Sequence, residues 1–458
     1  MRTVSGEGAW PAVFGLDVGE AVEVEPERGG ASRTVELREV THRREPDRYV
    51  DASDGTTLAG ASVTVAVDGE RRTLEHRPYE SPATVAGLRL LVETTREWAT
   101  AGEIADVEGV DRDVRLSAVG AGEPWGPGGT RFPVADYRWR AASYANTWSA
   151  LVPYNLLYYH RGEDFGAIPD RLDVRAPFDG RVVASPLPDG DGESNAVVVE
   201  AGDGTATRVR LAHMNVETIP DALTEGTRVA AGDVLGETGC TWDGRRSQTH
   251  DPHLHVGLHR GGTSLDPFPT LVEAYFRDYP DAVLPVAGGY YFALPGEEVR
   301  LDGSRSLARP GRSAGGHEWH LHDGRTVAGA EATVAYDEPG LYAEELVVEA
   351  DDGTADRDFA QVRVWDPDAT DPAAYGWVYH HPVRGVDPGE EVLFWNRLRY
   401  DGPVAVDLGD GATTTLDGDA EFAHAYDAPG TYVVAFEGAD PDPDREPVTV
   451  KVRVVVEA

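Results

Sequence analysis

Three segments in the middle of the chain bring imidazoles and a carboxylate into spacings that suit metal-assisted hydrolysis. His160 and Asp164 lie in HRGEDFG, His213 in LAHM, and His253 and His255 in DPHLHVGL. Neutral imidazole and carboxylate are both good zinc ligands, and a hydrolytic zinc needs three protein ligands plus an open position for water. His253 and His255 are two apart, so on a strand both point to one side. His160 and Asp164 are four apart, but Gly162 between them and the lack of helical periodicity favour a strand end followed by a turn. Five groups exceed the three that zinc requires, which leaves two imidazoles for proton transfer and charge stabilisation. A lone His in a β-protein is usually structural. The order and context of all three segments together are what point to chemistry.

The elements that must position these residues read as strands. Arg181–Ala184, Ala196–Glu200 and Arg208–Leu211 are strand-like, Val229–Leu235 reads as a turn leading to another strand, and His253–His259 alternates. Little helix is expected here, and a compact all-β unit is the natural reading. Upstream, the Gly/Pro run GAGEPWGPGG from Gly120 reads as a loop or linker. It leads into an aromatic-rich approach that includes Tyr137, Trp139, Tyr144, Trp148, Tyr154, Tyr158 and Tyr159. Such aromatics mostly build core and groove wall, and those nearest His160 are candidates to line a cleft. Cys240, the single cysteine, excludes an internal disulfide and reads as a small residue in a turn rather than a metal ligand.

The segment resembles the lysostaphin/LytM-type zinc metalloendopeptidases. The resemblance rests on His160-Arg161-Gly162-Glu163-Asp164-Phe165, then Leu211-Ala212-His213-Met214, then Asp251-Pro252-His253-Leu254-His255-Val256. Ala176-Pro177-Phe178-Asp179-Gly180, the run Gly226–Gly236 and Asp266-Pro267 also fit. Leu211 stands where the family usually has Tyr, and insertions around Pro186–Ser194 and Trp242–Thr249 enlarge two loops. The resemblance implies that His160, Asp164 and His255 hold Zn2+, that His253 is the general base, and that His213 is a second catalytic imidazole. It further implies an endopeptidase acting on a peptide or cell-surface polymer. The alternative is a non-catalytic zinc-binding surface, regulatory or adhesion protein, which would be expected to lack some of these five residues.

Towards the C-terminus the chain repeats itself. Pro295-Gly296-Glu297-Glu298-Val299 recurs as Pro388-Gly389-Glu390-Glu391-Val392, and Tyr336-Asp337-Glu338-Pro339-Gly340-Leu341-Tyr342 recurs as Tyr426-Asp427-Ala428-Pro429-Gly430-Thr431-Tyr432. With Glu318–Gly324 and Asp407–Gly411, these segments resemble PKD domains, which implies spacer or adhesion modules. His320-Leu321-His322 copies the letters of the 253–255 motif. On a strand, however, Trp319 and Leu321 would face the core and leave both histidines in solvent. The N-terminal region, Val22 to Leu116, reads as successive strands with one short helical stretch within Thr94–Ala105, and His42 and His76 there are isolated. The expected fold is therefore all-β and multidomain. A β-rich domain of unknown role spans 1–145 and a LytM-type antiparallel β zinc peptidase domain spans 146–284. PKD-like β-sandwiches follow at 285–367 and 376–458, with a linker at Trp365–Pro372.

Composition bounds partners and setting. Eighty acidic residues against 41 basic leave a formal charge of −39, and Lys451 is the only lysine. This surface repels phosphates and argues against nucleic acid. It is the balance expected of a halophilic protein, since a Debye length of about 3 Å at 1 M salt screens the self-repulsion. No apolar run approaches the ~18 residues of a membrane helix. The N-terminus as written shows no export signal, which predicts a cytoplasmic default, whereas the family resemblance suggests work outside the cell. Nothing in the sequence bears on oligomeric state.

Overall fold

The computed structural model describes residues 2–458 except 7, 26–30, 47, 49–54, 103–109, 154–156, 248–249, 366–375, 399–401, 419 and 440–446. Tyr154 and most of the expected linker at Trp365–Pro372 lie outside the described residues.

Alternating apolar positions build the first sandwich. Ala21–Glu25 buries only Val22 and Val24, and Val35, Leu37, Val63 and Val65 meet them in one core. A five-stranded sheet of Arg2–Ser5, Ala21–Glu25, Arg33–Pro46, Thr56–Val67 and Glu70–His76 faces a four-stranded one built on Ala12–Leu16 and Val114–Gly120. The turn at Asp68-Gly69 has positive φ at both residues (50° and 89°) while Val67 pairs with Glu70. That is the two-residue turn whose twist matches the strands it joins. Of the short helix expected from Thr94 to Ala105, the described residues form the single turn Arg96–Ala99, capped by Thr95, and 103–105 lie outside the described residues.

An antiparallel eight-stranded sheet carries the motif residues. Its central strand, His253–Arg260, pairs with Glu163–Gly166 on one side and Thr207–Ala212 on the other. One face buries Phe165, Val209, Leu211, Leu254, Val256 and Leu258. Against that face packs the helix Phe268–Asp278, whose buried Leu271, Ala274 and Tyr275 recur at helical spacing. Sequence reasoning missed this helix because its Phe-Pro-Thr start follows Asp266-Pro267 and reads as a turn. The run from Gly120 is not a free linker. Trp125 is buried, and a Cβ at Gly126 would lie 3.2 Å from Thr270 and 3.3 Å from the Trp10 ring. Phe132, Val134, Tyr137 and Trp139 enter the same core as the site sheet.

Two further sandwiches follow, with separate cores around Trp319 and around Phe394 and Phe436. The sequence repeat is also a repeat of bonds. Gly296 N–H donates to the Tyr336 carbonyl (2.7 Å) as Gly389 N–H does to that of Tyr426 (2.8 Å). Tyr342 and Tyr432 each donate a hydroxyl to the carbonyl four residues back, of Glu338 and Ala428, at 2.9 and 2.7 Å. Trp319 and Leu321 are buried, and His320 is exposed beside Glu318. His322 is exposed too, and in addition its ring stacks on Tyr336 and hydrogen-bonds at 2.8 Å to the buried Glu344.

His76 links the first sandwich to the site. It is buried with Nδ1 on the Val92 carbonyl (3.0 Å) and Nε2 on Ser149 Oγ (3.2 Å), and burial pushes its pKa down to about 3. The unfolded chain therefore binds one more proton than the folded one between the ordinary histidine value and about 3. Stability contributed here is whole above ~6.5 and falls by about 1.4 kcal/mol per pH unit as the pH drops through that window. His76→Gln should remove that slope from acid denaturation curves. An unchanged slope would show that His76 does not titrate in unfolding.

Candidate metal centre

The register of two strands sets the site. Asp164 stands opposite His255 and Gly166 opposite His253. Paired residues share a face, so Asp164, His253 and His255 all project away from the core that takes Leu254 and Val256. His160 follows the strand Leu157–Tyr159 and is fixed by backbone bonds from His160 N–H to the Ala150 carbonyl and from Ser149 N–H to the His160 carbonyl, both 2.8 Å.

Three donor atoms converge. His160 Nε2 lies 3.2 Å from His255 Nδ1 and 3.1 Å from Asp164 Oδ2, and His255 Nδ1 lies 2.8 Å from Asp164 Oδ1. Tetrahedral zinc with bonds of 2.0–2.1 Å sets its ligands about 3.4 Å apart, so the triangle is close to that needed. His160 Nδ1 is 3.1 Å from the Thr147 carbonyl, which can only accept. A ring proton therefore sits on Nδ1, and Nε2 faces a carboxylate oxygen. A proton or a metal ion must be shared at that distance, and the donor set fits zinc. These three residues are the group among the described residues able to hold a metal ion.

Room for this arrangement comes from a missing side chain. A Cβ at Gly162 would lie 2.5 Å from His255 Cε1 and 2.8 Å from the Val256 carbonyl oxygen. Tyr144 donates its hydroxyl to Asp164 Oδ2 at 3.0 Å. Burial acts to raise the Asp164 carboxyl, but the His160 and His253 imidazoles and bonds from His160 and His255 outweigh it and hold the group well below its ordinary value. Burial pushes the His255 imidazole down to about 4, against the pull of Asp164.

Two more imidazoles flank the triangle. His253 has Nδ1 on the Asp251 carbonyl at 2.8 Å and Nε2 3.6 Å from Asp164 Oδ1. His213 has Nδ1 on the Thr241 carbonyl at 2.9 Å, with its ring 4.6 Å from that of His253 and 6.1 Å from that of His255. Its backbone is held at φ +66°, an unfavourable conformation for a side-chain-bearing residue and common at functional sites. Gly239 packs against it so tightly that a Cβ would come within 2.3 Å of the His213 carbonyl oxygen. Burial, then the neighbouring His253 and His255, push the His213 imidazole well below its ordinary value, so it is neutral near pH 7. All five sequence-predicted residues thus meet on one sheet face.

Other groups here escaped sequence reasoning. Trp242 stacks on His213 (centroids 4.2 Å) and His250 stacks on Trp242 (4.6 Å). The two inserted loops lean on each other through the 2.6 Å bond from Gly244 N–H to the Glu193 carbonyl. Tyr144 was visible only as one aromatic among seven, and the tandem of Trp242 and His250 had no spacing to signal it. Cys240 is buried with its backbone N–H on Asn215, and burial pushes its thiol up, away from a metal-binding thiolate.

Residues 158–267 match the family model for Peptidase family M23, and residues 283–364 match that for the PKD domain. No protein of curated description matches the chain. Among solved structures, "Secreted serine protease VesC from Vibrio cholerae" aligns at 9% identity over 98% of this chain and 97% of that chain, with a TM-score of 0.20. Overlap that low carries no argument about fold or activity. The convergence of two imidazoles and a carboxylate falls inside the first matched segment, and the first Tyr-corner repeat falls inside the second. The chain carries a LytM-type peptidase family M23 domain followed by a PKD domain.

Proposed function

We propose that the chain is a zinc-dependent endopeptidase in which His160 Nε2, Asp164 and His255 Nδ1 hold the metal. His253 is the general base and His213 stabilises charge. The observation that carries this reading is the division of the five groups. Three donor atoms converge, and two further imidazoles stand beside them with their Nδ1 protons committed to carbonyls.

When bound, zinc supplies Lewis acidity that polarises a carbonyl and lowers the pKa of water from 15.7 to about 7. The chain does the rest. His253 Nε2 bears a lone pair, since the Asp251 carbonyl takes the Nδ1 proton. It accepts the proton of the attacking water and returns it to the leaving amine. His213 in its neutral form likewise presents an acceptor at Nε2. As negative charge develops on the substrate carbonyl oxygen, the proton affinity of His213 rises, so Nε2 takes up one proton from solvent, donates it in a hydrogen bond to that oxygen, and releases it when the intermediate collapses. Tyr144 and the carbonyls of Thr147, Asp251 and Thr241 orient these groups and touch no reacting atom.

His253→Ala should retain one zinc per chain by elemental analysis while peptide hydrolysis falls by about 10²–10⁴-fold. Asp164→Ala should lose the metal. Full activity in His253→Ala would sink the mechanism, and stoichiometric zinc with no turnover on any peptide library would favour a binding module. Gly162→Ala forces the His255 ring to move. Zinc affinity should drop about 10–100-fold, as when a group supporting a ligand is lost, and competition with a chromophoric chelator measures it. Unchanged affinity would mean that the His255 ring position does not control the metal.

A further inference from the structure

The sheet face that holds the five residues continues past the metal triangle into a cavity of about 510 Å³ between Val198, Arg208, Arg210, His259 and the Gly261-Gly262 turn. Register makes the continuity unambiguous. Ala212 pairs with His255, Arg210 with Gly257 and Arg208 with His259. Each pair projects to the same side, opposite the buried Val209, Leu211, Val256 and Leu258. Gly257 is the hinge point between the two regions. A Cβ there would lie 3.7 Å from His255 Nε2, 3.0 Å from His259 Nε2 and 3.8 Å from Arg210 Cβ. The missing side chain lets the His259 and His255 rings close over this glycine, so the imidazoles and Arg210 stand side by side along the face.

The charge in this cavity runs against the rest of the molecule. Glu200 accepts from both Arg181 (2.9 Å) and Arg208 (2.9 and 3.0 Å), so those three groups together keep one positive charge. Arg210 is partly buried, donates to Ser194 Oγ at 2.5 Å, and makes no ion pair among the described residues. Asp191 and Glu193 act on it only through space, and burial pushes its guanidinium below the ordinary value. A part-desolvated guanidinium with spare donors is a ready partner for a carboxylate, which it binds by paired N–H donors. Shielding from solvent also keeps such a contact effective in concentrated salt.

We propose that Arg210, with His259 and Arg208 beside it, forms a subsite that binds a carboxylate of the substrate peptide close to the cleaved bond. Gly257 lies two residues along the strand from His255, about 7 Å at strand rise, so the carboxylate belongs within about two residues of the scissile carbonyl. It is either an acidic side chain or the free C-terminus of a short peptide. This specificity rests on the proposed peptidase reading, and the test separates the two.

Peptides identical except for Glu or Gln at each of the three positions on either side of the cleaved bond, each as free acid and as amide, are compared at high salt. The wild-type protein should favour the carboxylate at one position by about tenfold or more in kcat/KM, mainly through KM. A preference confined to the free acids assigns the C-terminus, and one that survives amidation assigns the side chain. Arg210→Gln should abolish the preference while cleaving the neutral peptide within about twofold of wild type, and Arg210→Lys should restore part of it. Equal rates for Glu and Gln peptides at every position, with acid and amide alike, would overturn the subsite. If no peptide is cleaved, the catalytic reading fails. Fluorescence anisotropy with the same labelled Glu and Gln pairs then decides the subsite alone: a tenfold preference lost in Arg210→Gln supports it, and equal binding rejects it.

Discussion

A carboxylate buried without an arginine or lysine is the constraint on which the centre of this protein depends. Asp164 is almost inaccessible, and its ion-pair partners among the described residues are His160, His253 and His255. Burying an uncompensated carboxylate is prohibitively unfavourable, so a proton or a metal must share the site. The surrounding bonds restrict which. Carbonyls of Thr147, Asp251 and Thr241 each face an imidazole Nδ1, which leaves the three Nε2 atoms for other partners. Backbone acceptors thus choose the tautomers, and the tautomers favour a cation.

That arrangement is held from two directions outside the sheet. The first sandwich reaches it through the His76–Ser149 bond, through Trp148 Nε1 on the Glu93 carbonyl (2.7 Å) and through the Tyr159 hydroxyl on Leu58. The last sandwich reaches it through Trp377, whose ring meets Tyr144 at 5.1 Å edge to face, and through Tyr379 beside Gly166. Tyr144 in turn bonds Asp164. Motion of either sandwich would move the neighbours of His160 and Asp164, so these flanking units belong to the rigidity of the site and do not act only as spacers.

Charge is divided in the same way. The acidic excess lies on a surface where Arg pairs are mostly exposed, such as Arg43 with Glu45 or Arg300 with Glu331, and such pairs add little stability. Along the site face the sign reverses at Arg210. A molecule with 80 acidic residues would repel an acidic ligand at long range in dilute salt. At short screening lengths only the local cation is felt.

The order of residue types along the chain singled out His160, Asp164, His213, His253 and His255, because two-residue alternation and ligand chemistry are local properties. The same locality made the C-terminal repeat legible, down to glycines and tyrosines that form matching bonds in both copies. What the sequence could not express were contacts that depend on register. Gly162 and Gly257 are ordinary glycines until strand pairing brings the His255 ring beside both. Tyr144 was one aromatic among seven until Trp377 and Asp164 met on either side of it. The helix Phe268–Asp278 was hidden because a Pro-rich start reads as a turn, and only the apolar sheet face gave its buried stripe something to cover. The sequence determined which groups were available for chemistry. The tertiary structure decided which atoms face one another, because proton positions, ring orientations and the alignment of His255 with Arg210 are set by partners distant in the chain.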